Sequence, residues 1–290
     1  MNNSDIILKV SKLSKNYDSF SLKNIDMCVK KGKITGFVGI NGAGKTTVIK
    51  SIAGLVIPSN GNIELFGEVV NKSNESLLKN RMAFVLDGSY YYPDLTLNQM
   101  KKVVASAYSN WDEEIFKKYI KKFNLPLNKK IKTLSKGMKL QYSIALALSH
   151  HAELIVMDEP TSGLDPLVRI ELMEIMKNLA SNGISILFSS HITHDIEEVA
   201  DDIAFIHDGE IVFQKDIQTI KNSYFTVEGN LSHLNQENEK LFLNIRKQSD
   251  IFIGIYHGVK SDISLALLCS KIESAKIEDI MFGIICGNKK

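Results

Sequence analysis

The sequence lacks the features that mark membrane-spanning, secreted and nucleic-acid-binding proteins. No apolar run approaches the roughly 20 residues that cross a bilayer, and the first residues, 1–5, lack the apolar segment of a signal peptide. The 3 cysteines among 290 residues have no metal-ligand spacing, so we expect free thiols in a reducing compartment. The formal net charge of +2 does not favour a nucleic-acid partner. These absences indicate a cytosolic globular protein that reaches a membrane only through another protein.

A phosphate-binding pattern stands out in this composition. Residues 39–47 read Gly-Ile-Asn-Gly-Ala-Gly-Lys-Thr-Thr and match G-x-x-x-x-G-K-[ST]. An apolar run, 34–38, precedes them and predicts a buried strand, and helical spacing begins at Lys45. A glycine-rich turn before a helix is the plain alternative, but the strand and helix favour nucleotide binding through backbone amides and a helix N-terminus. The candidate nucleotide-binding residues here are Gly39, Asn41, Gly42, Ala43, Gly44, Lys45, Thr46 and Thr47.

Two carboxylates follow a second apolar strand. Residues 154–157 are Leu-Ile-Val-Met, typical of a parallel strand buried on both faces, and Asp158 and Glu159 come directly after them. We expect Asp158 to bind magnesium together with Thr46, since this ion prefers hard oxygen ligands. Glu159 would lie near the γ-phosphate and accept a proton from the attacking water, or orient that water. A solvated turn is the alternative for this pair.

A second anion site is predicted before a strongly helical stretch, 135–150. Ser135 is a good N-cap, and that is the simple interpretation. The serine hydroxyl, the free amides and Lys136 at a helix start also suit an anion. Two anion sites on one chain favour a nucleotide held between two copies.

His191 follows a third apolar strand, 184–188, through two serines. The carboxyl end of a core strand is where ligands bind in open α/β sheets. From there His191 would donate a hydrogen bond to the γ-phosphate. A structural polar residue at a strand end is the other interpretation.

The remaining pattern predicts an α/β protein, because strands alternate with helices. Further strands are expected at 6–13, 20–29, 62–66, 82–86, 203–206 and 210–213. Helical spacing covers about 97–124. Beyond residue 222 the periodicity is weak and suggests a small appended α/β module.

These motifs, in this order, resemble the nucleotide-binding subunit of an ATP-binding cassette (ABC) transporter over about residues 5–220. Residues 39–47 match the family's Walker A, 154–159 its Walker B, 134–138 its signature loop, 162–165 its D-loop, and His191 its switch histidine. The resemblance implies a P-loop ABC cassette: a RecA-like core sheet, an antiparallel β subdomain and a helical subdomain at about 97–150. It places the ATPase domain at 1–221 and an accessory domain at 222–290.

The same resemblance implies how the protein works. It implies ATP and Mg²⁺ as cofactors, Lys45, Glu159 and His191 as catalytic residues, and adenine stacking on Tyr17, for which an ordinary turn tyrosine is the alternative. It further implies a head-to-tail homodimer, in which each phosphate loop faces Ser135 and Gly137 of the other copy. This dimer would power a separate polytopic permease at the cytoplasmic face of the membrane. The signature Leu-Ser-Lys-Gly-Met resembles drug and peptide exporters, which suggests small amphipathic peptides or drugs as cargo.

Two features bear on coupling to the permease. The family has a glutamine where this chain has Asp87. An aspartate carboxylate binds metal but cannot donate a hydrogen bond. Slow hydrolysis, altered coupling to the permease and a carboxylate that faces solvent are the three alternatives. The segment 87–110, with Tyr90, Tyr91 and Tyr92, lies where the family docks its permease. Three consecutive tyrosines cannot all face one core.

Two other functions compete with the transporter interpretation. A soluble cassette ATPase in translation would usually carry two phosphate loops, and this chain has one. A regulatory nucleotide-binding subunit that barely hydrolyses ATP is compatible with Asp87.

Overall fold

The computed structural model describes residues 5–86, 91–261 and 270–287. The chain divides into two compact units, Met1–Phe213 and Gln214–Lys290. The sequence placed this boundary later, between residues 221 and 222. The difference arises because the helix at Ile217–Ser223 packs against the first strand of the second unit and so belongs to it.

A six-stranded sheet forms the centre of the first unit, in the order β10-β9-β3-β8-β7-β6. Four neighbouring pairs run parallel, β3 with β8 and β9, and β7 with β6 and β8. The carboxyl ends of these strands therefore meet at one edge of the sheet. The strands are β3 (Ile34–Val38), β6 (Met82–Val85), β7 (Leu154–Met157), β8 (Ser185–Ser190), β9 (Asp202–His207) and β10 (Glu210–Asp216).

Every residue of β3, β7 and β8 is buried, as expected for a parallel sheet covered on both faces. Helices α6 and α7 contact β3 and β8, while α5 contacts β6. The helices that cover this sheet are α1 (Lys45–Ile52), α5 (Lys136–Ser149), α6 (Pro166–Ser181) and α7 (Thr193–Val199).

An antiparallel sheet of order β2-β1-β4-β5 lies in the same unit. Its strands are β1 (Ile6–Asn16), β2 (Ser21–Lys30), β4 (Asn60–Leu65) and β5 (Glu68–Val69). Strand β1 runs three residues past its predicted end, because the polar Lys15 and Asn16 pair with Leu22 and Ser21. Its apolar face shares a core with Val48 and Ile49 of α1.

The predicted helical region contains two helices before α5, namely α3 (Leu97–Ala105) and α4 (Glu113–Lys122). They are separate because Asp112 starts the second one, its carboxylate accepting from the amides of Glu114 and Ile115 at 2.9 and 3.0 Å. Thr96 starts the first through a capping box with Gln99. A short helix, α2 (Glu75–Lys79), precedes β6.

The second unit contains an antiparallel sheet of order β12-β13-β11-β14. Its elements are α8 (Ile217–Ser223), β11 (Tyr224–Asn230), α9 (Gln236–Glu239), β12 (Phe242–Gln248), β13 (Ile251–His257), β14 (Lys271–Ser274) and α10 (Ile277–Gly287). Helix α10 approaches β12 closely at Gly287, where a Cβ would lie 2.5 Å from the Leu243 carbonyl. Among the described residues of the whole chain, none of the helices combines the length and apolarity that crossing a bilayer requires.

Candidate functional site

The loop between β3 and α1 has a backbone that only glycine suits at several positions. Gly42 and Gly44 have φ values of 83° and 112°. A Cβ at Gly39 would lie 2.5 Å from the Ile206 carbonyl oxygen, and one at Gly44 would lie 2.5 Å from Leu22. The glycines of the motif therefore allow a tight loop against β9 and β2, immediately before the start of α1.

This loop forms one wall of a cleft of about 530 Å³. The opposite wall comes from the segments that follow β7 and β8, at the edge where the parallel strands end. The lining residues are Phe20, Asn41, Gly42, Gly44, Lys45, Thr46, Thr47, Glu159, Ser162 and His191. The structure thus brings together the phosphate-loop residues, Glu159 and His191, which the sequence predicted as one site.

The Lys45 side chain is buried and turns back over its own loop. Its ammonium donates to the carbonyl oxygens of Gly39 at 2.6 Å and Ile40 at 3.3 Å. It also lies 3.4 Å from Glu159 Oε1. A cation held this way is a strong partner for phosphate oxygens that enter the cleft.

Glu159 and His191 contact each other directly. Glu159 Oε2 lies 2.7 Å from His191 Nδ1, and the same oxygen accepts from the His191 amide at 3.3 Å. Because an ionised carboxylate only accepts, this contact leaves the proton on Nδ1. Glu159 has a φ of 49°, in the left-handed region that non-glycine residues seldom occupy. Such a backbone conformation is found more often at functional sites.

Asp158 is buried beside this pair. Its Oδ1 accepts from the Ser189 hydroxyl at 2.6 Å, and its amide donates to Val85 of the neighbouring strand at 2.8 Å. Sequence reasoning missed Ser189, although it is one of the two serines that precede His191. Phe20, which lines the cleft, was also missed, since nothing in its neighbours distinguishes it from a core residue.

Tyr17 lines a second cleft of about 420 Å³ that shares Phe20 and Gly42 with the first. Tyr17 is 44 % exposed, and Lys15 Nζ lies 5.8 Å from its ring centroid. The ring is therefore available beside the phosphate loop and is not packed in a core.

Ser135 and Gly137 are not among the residues that line the phosphate-loop cleft of the same chain. Ser135 caps α5, its hydroxyl accepting from the Met138 amide at 3.2 Å. Gly137 is buried, and a Cβ there would lie 2.8 Å from Val168.

Tyr91 and Tyr92 differ in burial, as expected for consecutive tyrosines. The Tyr91 hydroxyl is 2.9 Å from Ser143 Oγ, and burial raises the pKa of Tyr91 to about 12. Tyr92 is 64 % exposed. Tyr90 and Asp87 lie outside the described residues, so the structure gives no geometry for the position that differs from the family.

A groove of about 490 Å³ lies at the opposite edge of the sheet, where β6 and β7 begin. Tyr108 stacks on His150 with ring centroids 3.8 Å apart, and burial lowers the pKa of His150 to about 4. Arg81 donates to both carboxylate oxygens of Glu153, at 2.6 and 3.0 Å. The groove is lined by Leu77, Asn80, Arg81, Tyr108, Ser109, Asn110, His150, His151 and Glu153.

Comparison with known proteins identifies the family. The ABC transporter family model matches residues 22–162. The bacitracin transport ATP-binding protein BcrA of Bacillus licheniformis is 36 % identical, over 71 % of this chain and 68 % of its own length. The lantibiotic transport ATP-binding protein SrtF of Streptococcus pyogenes is 34 % identical, over 74 % of this chain and 93 % of its own length. The chain is an ATP-binding protein of the ABC transporter family.

A solved structure of an ATP-binding subunit of an ABC transporter superposes with a TM-score of 0.67 at 29 % identity, covering 74 % of this chain and 92 % of that one. The predicted cassette fold is therefore confirmed. The prediction that the chain is an ATPase subunit similar to drug and peptide transporter cassettes is confirmed as well.

Proposed function

We propose that this ABC transporter ATP-binding protein hydrolyses ATP between two copies of itself to drive a separate membrane permease. The observation that carries the proposal is the convergence of Lys45, Glu159 and His191 on one cleft, at distances of 3.4 and 2.7 Å from the central glutamate. These residues come from three separate segments. A cation for phosphate, a carboxylate for water and a polarising histidine together fit phosphoryl transfer to water.

The triphosphate occupies the glycine loop. The amides of the loop from Gly39 to Thr47, including Asn41 and Ala43, surround the phosphate oxygens, and the helix start adds its positive end. Lys45 neutralises the outer phosphates. Tyr17 stacks on adenine in the adjoining cleft, which Phe20 also lines.

Glu159 is the general base in this proposal. Its Oε2 takes the proton of the attacking water, or holds that water by a hydrogen bond, while the water oxygen bonds to the γ-phosphorus and the bond to the ADP oxygen breaks. His191, whose Nδ1 is engaged by Glu159, directs its other ring edge towards the γ-phosphate. The protein supplies orientation and charge, which account for most of the catalysis in this reaction class.

The site fits magnesium. Thr46 and Glu159 line the cleft, and the buried Asp158 directly precedes Glu159 in the chain. Hydroxyl and carboxylate oxygens are the ligands that this ion prefers. Asp87, which lies outside the described residues, is a third candidate ligand. When bound, the ion neutralises charge on the phosphates.

Two copies arranged head to tail complete the site. Ser135 and Gly137 begin α5 and do not line their own chain's cleft, which supports their use by the partner copy. The helix start and its hydroxyl would then face the γ-phosphate from the second chain.

The permease docks on the groove at the far edge of the sheet. Tyr108, Ser109 and Asn110 in its wall fall within the segment 87–110 that the sequence singled out. Leu77 beside them is 70 % exposed, and a stacked Tyr108–His150 pair forms the floor. Aromatic and apolar residues of this kind are typical of interface centres. The names of the relatives support peptide antibiotics or similar amphipathic compounds as cargo, and location at the cytoplasmic face of the membrane through the permease.

Glu159→Gln tests this proposal. The variant should bind ATP as the parent does, lose turnover by about 100-fold or more, and elute as a dimer with ATP and magnesium. A variant that stays monomeric under saturating ATP would contradict the two-copy mechanism. Full turnover in the variant would instead contradict the role of Glu159.

A further inference from the structure

One buried serine contacts both the carboxylate of Asp158 and the backbone amide of Glu159. Ser189, at the end of β8, is fully buried. Its hydroxyl donates to Asp158 Oδ1 at 2.6 Å and accepts from the Glu159 amide at 2.9 Å. A hydroxyl has a single proton, and an amide can only donate, so these two contacts fix the direction of both hydrogen bonds.

These contacts restrain the peptide that links Asp158 to Glu159. The Ser189 hydroxyl holds a carboxylate oxygen of Asp158 on one side of this peptide and the amide of Glu159 on the other. Glu159 then continues with a φ of 49°, which places its carboxylate towards Lys45 and His191. Since the left-handed conformation is unfavourable for a residue with a Cβ, a specific contact is needed to hold it.

The contact with Ser189 also makes the two carboxylate oxygens of Asp158 inequivalent. Oδ1 is occupied by a short hydrogen bond from Ser189. Oδ2 takes no part in this hydrogen bond. A single hydroxyl thus orients a candidate metal ligand and the candidate base at the same time.

We propose that Ser189 is a positioning residue for ATP hydrolysis, which acts through Glu159 and Asp158 without contacting the nucleotide. This inference rests on the proposed function, because it needs Glu159 to be the base. It accounts for a buried polar group in the strand that leads to His191, whereas a purely structural serine would require no link to the Asp158 carboxylate and the Glu159 amide together.

Ser185 provides a matched control. It lies in the same strand and is equally buried, and its hydroxyl also accepts from a backbone amide, that of Gly32 at 2.9 Å. It is at the opposite end of β8, away from the cleft. Ser185→Ala therefore removes a comparable buried hydrogen bond without touching either carboxylate.

The test is steady-state ATPase kinetics of the full chain with magnesium, beside equilibrium ATP binding. Ser189→Ala should lower kcat by about 10- to 100-fold, as expected for a displaced catalytic group, with KM and the ATP dissociation constant changed less than about threefold. Ser185→Ala should keep the parent kcat at a similar loss of melting temperature. Ser189→Thr, which keeps the hydroxyl, should recover most of the rate.

A double-mutant cycle separates positioning from general destabilisation. In the Glu159→Gln background, Ser189→Ala should cause a smaller further loss of single-turnover rate, because one of the two groups it positions is already gone. An equal loss in both backgrounds, a parent-like kcat in Ser189→Ala, or a folded Ser189→Thr as slow as the alanine variant would overturn the inference. A parent chain without ATPase activity would overturn the proposed function, and the inference with it.

Discussion

The Lys45 ammonium lies 3.4 Å from Glu159 Oε1, although one residue opens α1 and the other follows β7. Both side chains are largely buried, so their charges interact more strongly than a surface pair would. The parallel register of β3, β8 and β7 brings their ends to one edge and makes this contact possible. A phosphate that binds Lys45 is therefore placed directly beside the carboxylate assigned to the water.

His191 should matter for turnover more than for binding. We expect His191→Ala to lower kcat by about 10- to 100-fold, because Glu159 loses its 2.7 Å partner and the phosphate loses a donor. ATP affinity should change little, since the glycine loop is untouched. The matched control is His194→Ala, an exposed histidine in α7. Equal rates for the two variants in a steady-state assay would show that His191 has no special role.

Tyr17 should contribute to affinity through the adenine ring. Tyr17→Ala should weaken ATP binding by about three- to tenfold, the effect of one lost aromatic contact, while Tyr17→Phe keeps parent affinity. Binding of inorganic tripolyphosphate, which has no base, should be the same in all three proteins. Calorimetric titration measures each value, and weaker tripolyphosphate binding by Tyr17→Ala would mean that the variant disturbs the loop instead.

The sequence identified residues whose chemistry follows from a short local pattern. The glycine loop, Asp158 and Glu159 follow apolar runs directly, and His191 follows one after two serines. The parallel sheet brings the ends of these strands to one edge. Ser189 and Phe20 escaped because their importance depends on tertiary contacts, the first across β7 and β8 and the second across the loop. The extension of β1 to Asn16 escaped for a similar reason, since cross-strand pairing outweighed the polar character of Lys15 and Asn16.

Asp87 is the position at which the chain departs from its family, and its role stays a prediction. Asp87→Gln should change the ATPase rate or its dependence on magnesium concentration, because an amide binds metal more weakly than a carboxylate but donates hydrogen bonds. A magnesium titration of both proteins at saturating ATP measures this. Identical curves would remove Asp87 from the metal site.

His150 should make stability depend on pH. Burial lowers its folded-state pKa to about 4, below the unfolded value of 6.5, so the unfolded chain binds a proton first as the pH falls. The contribution is present above pH 6.5 and is lost between pH 6.5 and 4, by about 3 kcal/mol in total. His150→Phe keeps a ring beside Tyr108. Its free energy of unfolding, measured with urea, should fall less steeply than that of the parent between pH 6.5 and 4.

The exposed neighbour His151 serves as the control for that measurement. His151→Phe should retain the parent's decline in unfolding free energy. If His150→Phe declines as steeply as the parent and His151→Phe, then His150 does not carry the acid sensitivity.

The most direct test of the whole account is equilibrium binding of ATP with magnesium to the purified chain, compared with its Lys45→Ala variant. The parent should saturate, and the variant should bind at least about 100-fold more weakly, because it loses a buried charge-assisted contact to the phosphates. Lys50→Ala, in the same helix, should bind as the parent does. A parent that shows no saturable binding, or a Lys45→Ala variant that binds equally well, would contradict the account.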